Sequence, residues 1–566
     1  MGVDVIKITQ KIKEDPYRLG FHLMPPTGWM NDPNGLCEFN GKYHIFFQYS
    51  PNDVTGGCKQ WGHYIGDDLL HFRFAGSAVF PDHPADAGGA FSGSALIDDG
   101  EMLLYYTGNV ELPGDYDHTY AGRESNTILL RSRDGEQFSE KQVLLSNADY
   151  PDEYTCHVRD PKVWKQDGKY YMVQGGRLDG RRLELRRLQM DVEQKEKDPL
   201  SNDITAGNGS LLDQGAVIVF EGEDAQNFQP LYSITTAEPF GYMWECPDYF
   251  ELGGKKYLSC CPQGLEDQEY KWQNTYQSGY FILPEDFDIT DPARGALLIG
   301  DKLPETPGTY RLLEDPEGTF REWDYGFDFY APQTFTDSRG RRILIGWVGM
   351  FDADYDNLHT TERGWQHALS VPRVLTPYEG GIRQWPIEEI ESLRLGLRVT
   401  EKGNTKFELP TRKADIVVER ENGLGYSGKI FFDVARQEDG LGVEMGPDGK
   451  LREYLLLMRL WTATGPVFEI FLESAEGAPD TFVLHMMVED QPGRGRKERK
   501  VRMKDFHKIR VLIDTSMAEV FLNDGEEVLT TRFYVEEEVA GNSYRLQIGP
   551  PGVKVWDMKN MQVVYE

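Results

Sequence analysis

The chain has 566 residues, with 60 Lys and Arg against 93 Asp and Glu, which gives a formal net charge of −33. So acidic a chain repels the phosphates of nucleic acids and of anionic lipids, because both require clustered basic residues. It also contains no run of about eighteen apolar residues that could cross a bilayer. These observations exclude nucleic-acid-binding and membrane-spanning proteins.

The abundance of glycine, proline and aromatic residues (59 Gly, 31 Pro, 12% aromatic) predicts many short strands joined by tight turns. The six cysteines form no C-x-x-C pair, and the N-terminus lacks the apolar segment of a signal peptide. Both features favour a cytoplasmic protein with reduced thiols. No metal-binding or phosphate-binding motif is present, so we expect neither a metal nor a cofactor.

Five hairpins recur along the first 350 residues, each with an apolar strand, a Gly-containing turn and an aromatic-rich strand. Their turns contain, in chain order, Gly41, Gly100, Gly168, Gly254 and Gly340. Asn-Gly and Asp-Gly between alternating apolar runs are strong hairpin signals, since these residues accept a positive φ. Five such units predict a five-bladed β-propeller, with a β-sandwich as the alternative if the hairpins alone are considered.

Three carboxylates precede these turns at matched positions. Asp32, Asp160 and Glu245 each lie eight or nine residues before the turn glycine of their hairpin. Equivalent points of successive propeller blades lie at the same end of the central channel, so the three side chains are expected to share one pocket. Taken singly, each segment is equally typical of an Asx-turn.

The hairpin pattern of the N-terminal part of the chain ends at about residue 385. After this point, long predicted strands alternate with charged turns. This predicts an antiparallel β-sandwich over residues 397–566. The stretch 385–396 has apolar residues at helical spacing and predicts a linker helix. The all-β propeller domain would then span residues 1–384, with residues 1–20 as an N-terminal extension.

The three carboxylates have different neighbours, which predicts different roles in glycoside cleavage, a reaction that needs two carboxyl groups. Glu245 follows the apolar and aromatic residues 242–244, which would raise its pKa and suit a proton donor. Asp32 lies among amide donors that would keep it ionised as a nucleophile. Asp160 lies beside Arg159, which also favours the ionised form and suits stabilisation of a cationic transition state.

Other side chains near the same turns could bind a sugar. Four aromatic residues could contact it, with core packing as their alternative role, and three polar residues could form hydrogen bonds to it. In chain order they are Trp29, Gln48, Trp61, His63, Phe91, Ser92 and Tyr330. For His63 a structural role is the favoured interpretation.

Several segments together resemble one enzyme family, from about residue 21 to the C-terminus. They are WMNDPNG (29–35), FFQYSPND (46–53), WGH (61–63), FSGS (91–94), RDP (159–161), ECPD (245–248), GFDFYAPQTF (326–335) and EVFLNDGEEVLTTRFY (519–534). Their order and spacing are similar to those of glycoside hydrolase family 32, which includes invertases, levanases, inulinases and sucrose-6-phosphate hydrolases.

The resemblance implies a five-bladed propeller followed by a β-sandwich, and retaining hydrolysis of β-fructofuranosides through a covalent fructosyl-enzyme. It implies that Asp32 is the nucleophile, Glu245 the acid/base and Asp160 the transition-state stabiliser. The residues that would line the fructose subsite are Asn31, Gln48, Trp61, Phe91, Ser92 and Arg159. The chain departs from the family pattern at residues 56–60 and 64–68, on either side of WGH. This departure affects the expected substrate preference and leaves the expected fructosyl chemistry unchanged.

We therefore expect a cytoplasmic exo-hydrolase acting on sucrose and short fructo-oligosaccharides, with a small sugar as its partner molecule. Three alternatives remain at this stage: a sucrose-6-phosphate hydrolase, a fructosyltransferase, and a carbohydrate-binding propeller without turnover. Self-association into a homo-oligomer is also left open by the sequence.

Overall fold

The computed structural model describes residues 14–185, 212–236, 239–291, 310–313, 316–353, 357–401, 403–419, 441–445, 451–474, 482–488, 496–503, 506–535, 542–550 and 552–565. Residues 1–13 of the predicted N-terminal extension lie outside this set. Strands, numbered β1 to β37 in chain order, dominate the described residues. The helical segments among them are short: Pro84–Asp86, Asn147–Asp149, 180–185, Pro316–Thr319, Leu358–Thr361 and Glu388–Leu393.

The described residues before position 387 form five sheets, each built mainly from consecutive strands. The first contains β1 (Gly28–Phe39), β2 (Lys42–Ser50), β3 (Gln60–Gly66) and β4 (His71–Val79), together with β20 (Trp365–Gln366) and β37 (Gln562–Tyr565). The second contains β5 (Gly89–Asp98), β6 (Glu101–Glu111), β7 (Arg123–Ser132) and β8 (Gln142–Leu145). The third contains β9 (Tyr154–Gln166), β10 (Lys169–Leu178), β11 (Gln214–Gly222), β12 (Phe228–Thr236) and β16 (Tyr310–Leu313).

The fourth sheet contains β13 (Met243–Leu252), β14 (Lys255–Gln263), β15 (Gly279–Ile282) and β17 (Phe320–Glu322). The fifth contains β18 (Tyr330–Thr336), β19 (Arg342–Val348), β21 (Ala368–Leu369), β22 (Arg373–Tyr378) and β23 (Gly381–Pro386). The first strands of neighbouring sheets, β1, β5, β9, β13 and β18, contact one another in a closed ring. Sheets arranged around a ring are the architecture of a β-propeller.

The five hairpin turns predicted from the sequence are present. The turn glycines 41, 100, 168, 254 and 340 all have positive φ, between 71° and 83°. Each turn joins the first strand of a sheet to the second. Glycine adopts this conformation without a steric penalty, which explains why the sequence pattern identified the hairpins.

A β-bulge interrupts each of the five inner strands, and the two residues within each bulge lie between seven and ten positions before the turn glycine. The inner strand has one residue more than its partner between Met30 and Pro33, Ala90 and Gly93, Arg159 and Lys162, Glu245 and Asp248, and Tyr330 and Gln333. Bulges of this kind redirect side chains and are common next to active sites. All three predicted carboxylates lie within or at the edge of one.

The remaining strands form two further antiparallel sheets, which together make the predicted β-sandwich. One contains β24 (Arg394–Val399), β26 (Lys413–Glu419), β32 (Lys508–Asp514), β33 (Met517–Leu522), β34 (Glu527–Arg532) and β36 (Lys554–Met558). The other contains β25 (Thr405–Leu409), β27 (Leu441–Met445), β28 (Leu451–Trp461), β29 (Pro466–Ser474), β30 (Phe482–Val488), β31 (Glu498–Met503) and β35 (Tyr544–Ile548). Apolar side chains from both sheets share one core.

The domain boundaries differ from the predicted ones in two places. The linker 385–396 is not one helix, because β23 extends to Pro386 and β24 begins at Arg394, leaving only a 3₁₀ segment between them. Its buried residues Ile390 and Leu393 are three apart, the period of a 3₁₀ helix. The last strand, β37, does not belong to the sandwich: it pairs in parallel with β4 of the first propeller sheet.

A buried ion-paired network joins the propeller to the sandwich. Arg373 of β22 donates hydrogen bonds to Glu519 of β33, at 2.6 and 3.0 Å, and to Asp324, at 3.2 and 3.3 Å. The ring nitrogens of His22 lie 2.8 Å from Asp514 and 2.9 Å from Glu519. Burial by itself would lower the pKa of His22, but hydrogen bonds to the two carboxylates raise it to about 9. Since an unpaired buried charge is costly, these contacts fix the two domains together.

Protonation of His22 is expected to make stability depend on pH. Its folded-state pKa of about 9 lies above the ordinary 6.5, so its contribution is complete below pH 6.5 and is lost as the pH rises through about 9. A shift of this size corresponds to about 3 kcal/mol. The free energy of unfolding, measured in urea, should decrease between about pH 6 and about pH 10. The decrease should be about 3 kcal/mol larger in the wild type than in His22→Gln, which lacks the titrating group. Equal pH dependence in the two proteins would contradict this.

Candidate active site

A cavity of about 460 Å³ opens where the bulged segments of the inner strands meet. Its walls contain side chains from several sheets, among them all three predicted carboxylates. The lining residues are Asn31, Asp32, Gln48, Gly56, Gly57, Cys58, Lys59, Gly88, Phe91, Ser92, Asn109, Glu111, Arg123, Arg159, Asp160, Glu245, Gln263, Tyr276, Phe351 and Asp352. The ring of sheets therefore brings Asp32, Asp160 and Glu245 together, as the hairpin spacing predicted.

Asp32 is only 7% exposed and is held by donors from three strands. The hydroxyl of Ser92 donates a short hydrogen bond to its Oδ2, and the side-chain amide of Asn31 donates to its Oδ1 at 3.0 Å. The Cys246 Sγ lies 3.6 Å from Oδ2. Ser92 in turn accepts a hydrogen bond from Gln48 at 3.1 Å. These contacts fix the orientation of the carboxylate in the wall of the cavity.

Asp160 is 4% exposed and has a positive φ of 64°. Its backbone N–H donates to the hydroxyl of Thr107 at 2.9 Å, and its Oδ2 accepts the backbone N–H of Cys246 at 2.9 Å. The Sγ of Cys246 lies 3.6 Å from the same oxygen, so one cysteine contacts both Asp32 and Asp160. The fourth sheet thereby fixes the spacing of carboxylates from the first and third.

Glu245 is oriented by two hydrogen bonds to one of its oxygens. The hydroxyl of Tyr330 and the side-chain amide of Gln263 each donate to Oε2 at 2.7 Å. The guanidinium of Arg159 lies 3.5 Å from the other oxygen, Oε1. The side chain of Glu245 is 14% exposed and lines the cavity. The hydrogen bonds from Tyr330 and Gln263 hold it in position.

Burial raises the pKa of all three carboxyl groups, and that of Asp160 rises to about 7. The guanidinium of Arg159 acts in the opposite direction on Asp160 and Glu245, whereas the other two carboxylates raise the pKa of Asp160 further. The predicted raised pKa of Glu245 is confirmed. The predicted effects of Arg159 on Asp160 and of amide donors on Asp32 have the expected direction, but removal from water outweighs both, so the pKa of each group is raised.

The predicted sugar-binding residues divide into two groups. Asn31, Gln48, Phe91, Ser92 and Arg159 line the cavity, as expected. The other predicted residues lie behind its wall.

In this second group, Trp29 donates to the Asn31 side chain at 2.7 Å, Trp61 donates to the Phe91 carbonyl at 2.9 Å, and Tyr330 holds Glu245. All three aromatic rings are at most 8% exposed. They therefore position lining residues. His63 is buried and contacts His44 at 2.9 Å, consistent with a structural role.

Several lining residues had not been predicted. Gln263 is the last residue of β14, whereas Tyr276, Phe351 and Asp352 come from segments between strands; no spacing pattern marks any of the four. Lys59 could have been found, because it lies in residues 56–60, where the chain departs from the family pattern. Across the described ranges, no group of three or more His, Cys, Asp and Glu side chains is placed to hold a metal ion. No helix among those residues is long and apolar enough to cross a membrane.

The arrangement suits acid/base and nucleophilic chemistry at a single carbon atom. Burial raises the pKa of both Asp32 and Glu245, so the direction of the pKa shift does not distinguish them. Their hydrogen bonds do: Asp32 accepts donors on both oxygens, whereas Glu245 accepts both of its donors on one oxygen. Arg159 lies 3.5 Å from the other oxygen of Glu245. Glycoside cleavage requires two carboxyl groups with different environments in one cavity, and Asp32 and Glu245 meet this requirement.

Two family models match the chain. The N-terminal domain of glycosyl hydrolases family 32 matches residues 22–185 and 201–386, and the C-terminal domain of the same family matches residues 473–548. Among characterised relatives, a sucrose-6-phosphate hydrolase from Bacillus subtilis is 33% identical over 92% of this chain and 89% of its own length. A raffinose invertase from Escherichia coli is 30% identical over 92% of this chain and 90% of its own length.

Solved structures have the same fold. A sucrose-6-phosphate hydrolase from Lactobacillus gasseri superimposes with a TM-score of 0.72 at 22% identity, over 98% of this chain and 96% of that one. A Bombyx mori β-fructofuranosidase superimposes with a TM-score of 0.69 at 25% identity, over 99% of this chain and 97% of that one. The N-terminal propeller and C-terminal sandwich are therefore confirmed. On the evidence of its two matched domains and its relatives, the chain is a glycoside hydrolase and belongs to family 32.

Proposed function

We propose that the chain hydrolyses terminal, non-reducing β-D-fructofuranosyl groups with retention of configuration, through a covalent fructosyl-enzyme. The observation that carries the proposal is that Asp32, Asp160 and Glu245, from three different sheets, line one cavity. Retaining cleavage requires one carboxylate as nucleophile and one carboxyl group as acid and then base. A carbohydrate-binding protein without turnover would not require all three.

The proposed reaction has two steps. In the first, a carboxylate oxygen of Asp32 forms a bond to C2 of the fructosyl group. At the same time the bond from C2 to the leaving oxygen breaks, and Glu245 gives that oxygen its proton. In the second step, Glu245 removes a proton from water, the water oxygen bonds to C2, and the ester bond to Asp32 breaks. Fructose leaves, and both carboxyl groups return to their initial state.

Asp160 and Arg159 assist without forming a bond to the sugar. The pKa of Asp160, about 7, allows its carboxyl group to donate or accept a hydrogen bond to a sugar hydroxyl at neutral pH. In its ionised form it also stabilises the positive charge that develops at C2. Arg159 lies 3.5 Å from Glu245 and favours its ionised form, which is needed in the second step.

The burial of the carboxyl groups supports an exo mode of action on a chain end. Asp32 and Asp160 are 7% and 4% exposed, so the reacting carbon must enter the cavity to reach them. The relatives are named for sucrose 6-phosphate, raffinose and β-fructofuranosides. We propose sucrose and short fructo-oligosaccharides as substrates, and a cytoplasmic location, in keeping with six free cysteines.

The purified protein should release fructose from sucrose and kestose faster than from inulin or levan. With methanol added, the product should be methyl β-D-fructofuranoside, because retention passes through two inversions at C2. Proton and carbon NMR of the products identify the anomer. The α-anomer, or no fructose from any of the four substrates, would contradict the proposal. Products longer than the substrate at high sucrose would indicate the fructosyltransferase instead.

Removal of either reacting carboxyl group should abolish most activity without unfolding the protein. We expect Asp32→Ala to lower kcat by at least about 10⁴-fold and Glu245→Gln by about 10²- to 10⁴-fold. Azide should partly rescue Asp32→Ala by occupying the vacated space. Glu251→Gln, on the exposed end of the same strand as Glu245, is the matched control. Wild-type rates in either site variant would exclude the assignment.

Loss of the Tyr330 hydroxyl should shift the pH profile in a defined direction. Its hydrogen bond lowers the pKa of Glu245, so Tyr330→Phe should raise that pKa and move the basic limb of kcat/KM to higher pH. Gln263→Leu should move the limb in the same direction, because Gln263 donates to the same oxygen. A limb that stays in place in both variants, or moves to lower pH, contradicts this assignment.

A further inference from the structure

The side chains that hold Glu245 indicate where the leaving sugar lies. The leaving oxygen must come within hydrogen-bond reach of the acid, so the sugar attached to it begins beside Glu245. Tyr276 forms an isolated β-bridge with Gln263, and its ring centroid lies 6.1 Å from that of Tyr330. The ring centroid of Phe351 lies 6.4 Å from that of Tyr330. Tyr276 and Phe351 therefore line the cavity on the side of the proposed proton donor.

This side of the cavity is more exposed than the carboxylates that would react with the fructosyl group. Asp32 and Asp160 are buried, whereas Tyr276 and Phe351 are partly exposed and Asp352 is exposed. A fructosyl group that reaches the buried carboxylates therefore places the sugar that leaves among the more exposed residues.

A hydrogen bond between two neighbouring sheets crosses this side of the cavity. Tyr276 lies between β14 and β15 of the fourth sheet, Asp352 follows β19 of the fifth, and the tyrosine hydroxyl donates to Asp352 Oδ2 at 2.7 Å. A carboxylate has about four acceptor sites, so Asp352 can also accept hydrogen bonds from sugar hydroxyls. The rings of Tyr276 and Phe351 offer apolar surface to the C–H groups of a sugar ring.

The loop that carries Tyr276 is held by the sandwich domain. It spans residues 264–278, between β14 and β15. The side chain of Gln273 pairs with the backbone of Lys500 in β31: its amide donates to the carbonyl at 2.8 Å, and its oxygen accepts the N–H at 2.9 Å. Gln273 is only 3% exposed, so these two hydrogen bonds replace those that its side chain would form with water.

Arg499 of β31 adds a second buried contact with the same loop. Its guanidinium donates to the side-chain oxygen of Asn274 at 2.8 and 3.2 Å and lies 3.9 Å from the centroid of the Phe327 ring. Arg499 and Asn274 are 1% and 6% exposed. Just before β31, Arg496 pairs with Asp267 of the loop at 2.7 Å. The basic segment of the sandwich thus fixes the loop up to two residues before its cavity-lining tyrosine.

We propose that Tyr276 and Asp352 bind the sugar that leaves, and that Arg499 of the sandwich positions Tyr276 for that contact. The inference rests on the proposed fructosidase function and assigns the selectivity for the leaving group to these residues. A leaving sugar gains a ring contact with Tyr276 and hydrogen bonds to Asp352, whereas a leaving group without a ring, such as methanol, gains neither. The sandwich domain therefore takes part in the choice of substrate.

Tyr276 has a second route of action that the test must separate. It adjoins Gln263 and Tyr330, the two residues that hold Glu245, so a change at Tyr276 could also disturb proton donation. By that route methyl β-D-fructofuranoside would be slowed at least as much as sucrose, because methanol is a weaker acid than a sugar hydroxyl and depends more on protonation. A role in binding the leaving sugar would slow sucrose more.

The experiment compares kcat/KM for sucrose and methyl β-D-fructofuranoside, which share the fructosyl group and differ in the leaving group. Tyr276→Ala and Asp352→Ala should each lower the ratio of sucrose to methyl β-D-fructofuranoside by about tenfold. Arg459→Met, which removes a guanidinium paired with Glu469 inside the sandwich, should keep the wild-type ratio. A ratio that is unchanged or raised in both site variants overturns the proposal.

The contribution of the sandwich is tested with the same ratio. Arg499→Met should lower it, and Arg499→Lys should keep part of it. Added to Tyr276→Ala, Arg499→Met should lower the ratio no further, because its effect passes through the missing ring. A variant Arg499→Met that is less stable in urea but has the wild-type ratio overturns the positioning role.

A second variant covers the case in which Arg499→Met does not fold. Arg502→Ala removes an exposed guanidinium that lies 4.2 Å from the centroid of the Tyr270 ring in the same loop. It leaves the buried contacts of Arg499 in place and should lower the ratio by a smaller factor. Wild-type ratios in both Arg502→Ala and Arg499→Lys then overturn the positioning role.

A binding measurement separates this inference from the proposed fructosidase function. Titration calorimetry in the Asp32→Ala background requires no turnover. Sucrose should bind at least about fivefold more tightly than methyl β-D-fructofuranoside, and addition of Tyr276→Ala should remove most of the difference. Equal affinities in the Asp32→Ala background overturn the inference. Failure of the fructosidase function has another signature, since the wild type would then release fructose from neither substrate, and the binding result would still decide the role of Tyr276.

Discussion

One extra residue in each inner strand determines the geometry of the active site. The five bulges lie seven to ten residues before five hairpin turns, and the ring of sheets brings them to one end of the propeller. Without the bulge, strand alternation would direct the affected side chains to another face. The carboxylates, the cysteine between two of them and the serine that binds Asp32 all come from these bulged segments.

Burial also determines the properties of the site, because it changes the pKa of the charged groups that line the cavity. It raises the pKa of each carboxyl group and lowers that of Lys59 to about 8. Hydrogen bonds then distinguish groups of the same chemical type. Asp32 receives donors on both oxygens, whereas Glu245 receives its two donors on one oxygen and faces Arg159 with the other. The proposed roles of nucleophile and proton donor thus depend on the neighbours of Asp32 and Glu245 more than on the carboxyl groups themselves.

The sequence was sufficient to predict those features of the fold and the site that depend on local chemistry. Turn glycines need positive φ, so the hairpins and their spacing were visible, and with them the convergence of Asp32, Asp160 and Glu245. It was insufficient where distant segments or solvent exclusion decide the outcome. The pKa of Asp160 depends on burial that Arg159 alone could not indicate, and the positions of Trp29, Trp61 and Tyr330 behind the wall depend on packing. The pairing of β37 with β4 joins residues almost 500 positions apart, which no local pattern encodes.

That pairing has a consequence for the assembly of the molecule. The sheet that carries Asp32 is completed by a strand at residues 562–565 and by a short strand at residues 365–366, besides its own four. The sheet that carries Asp32 is therefore complete only when residues 562–565, which follow the sandwich in the chain, pair with the propeller. An isolated propeller fragment would expose the hydrogen-bonding edge of β4, the kind of edge that recruits other chains into aggregates.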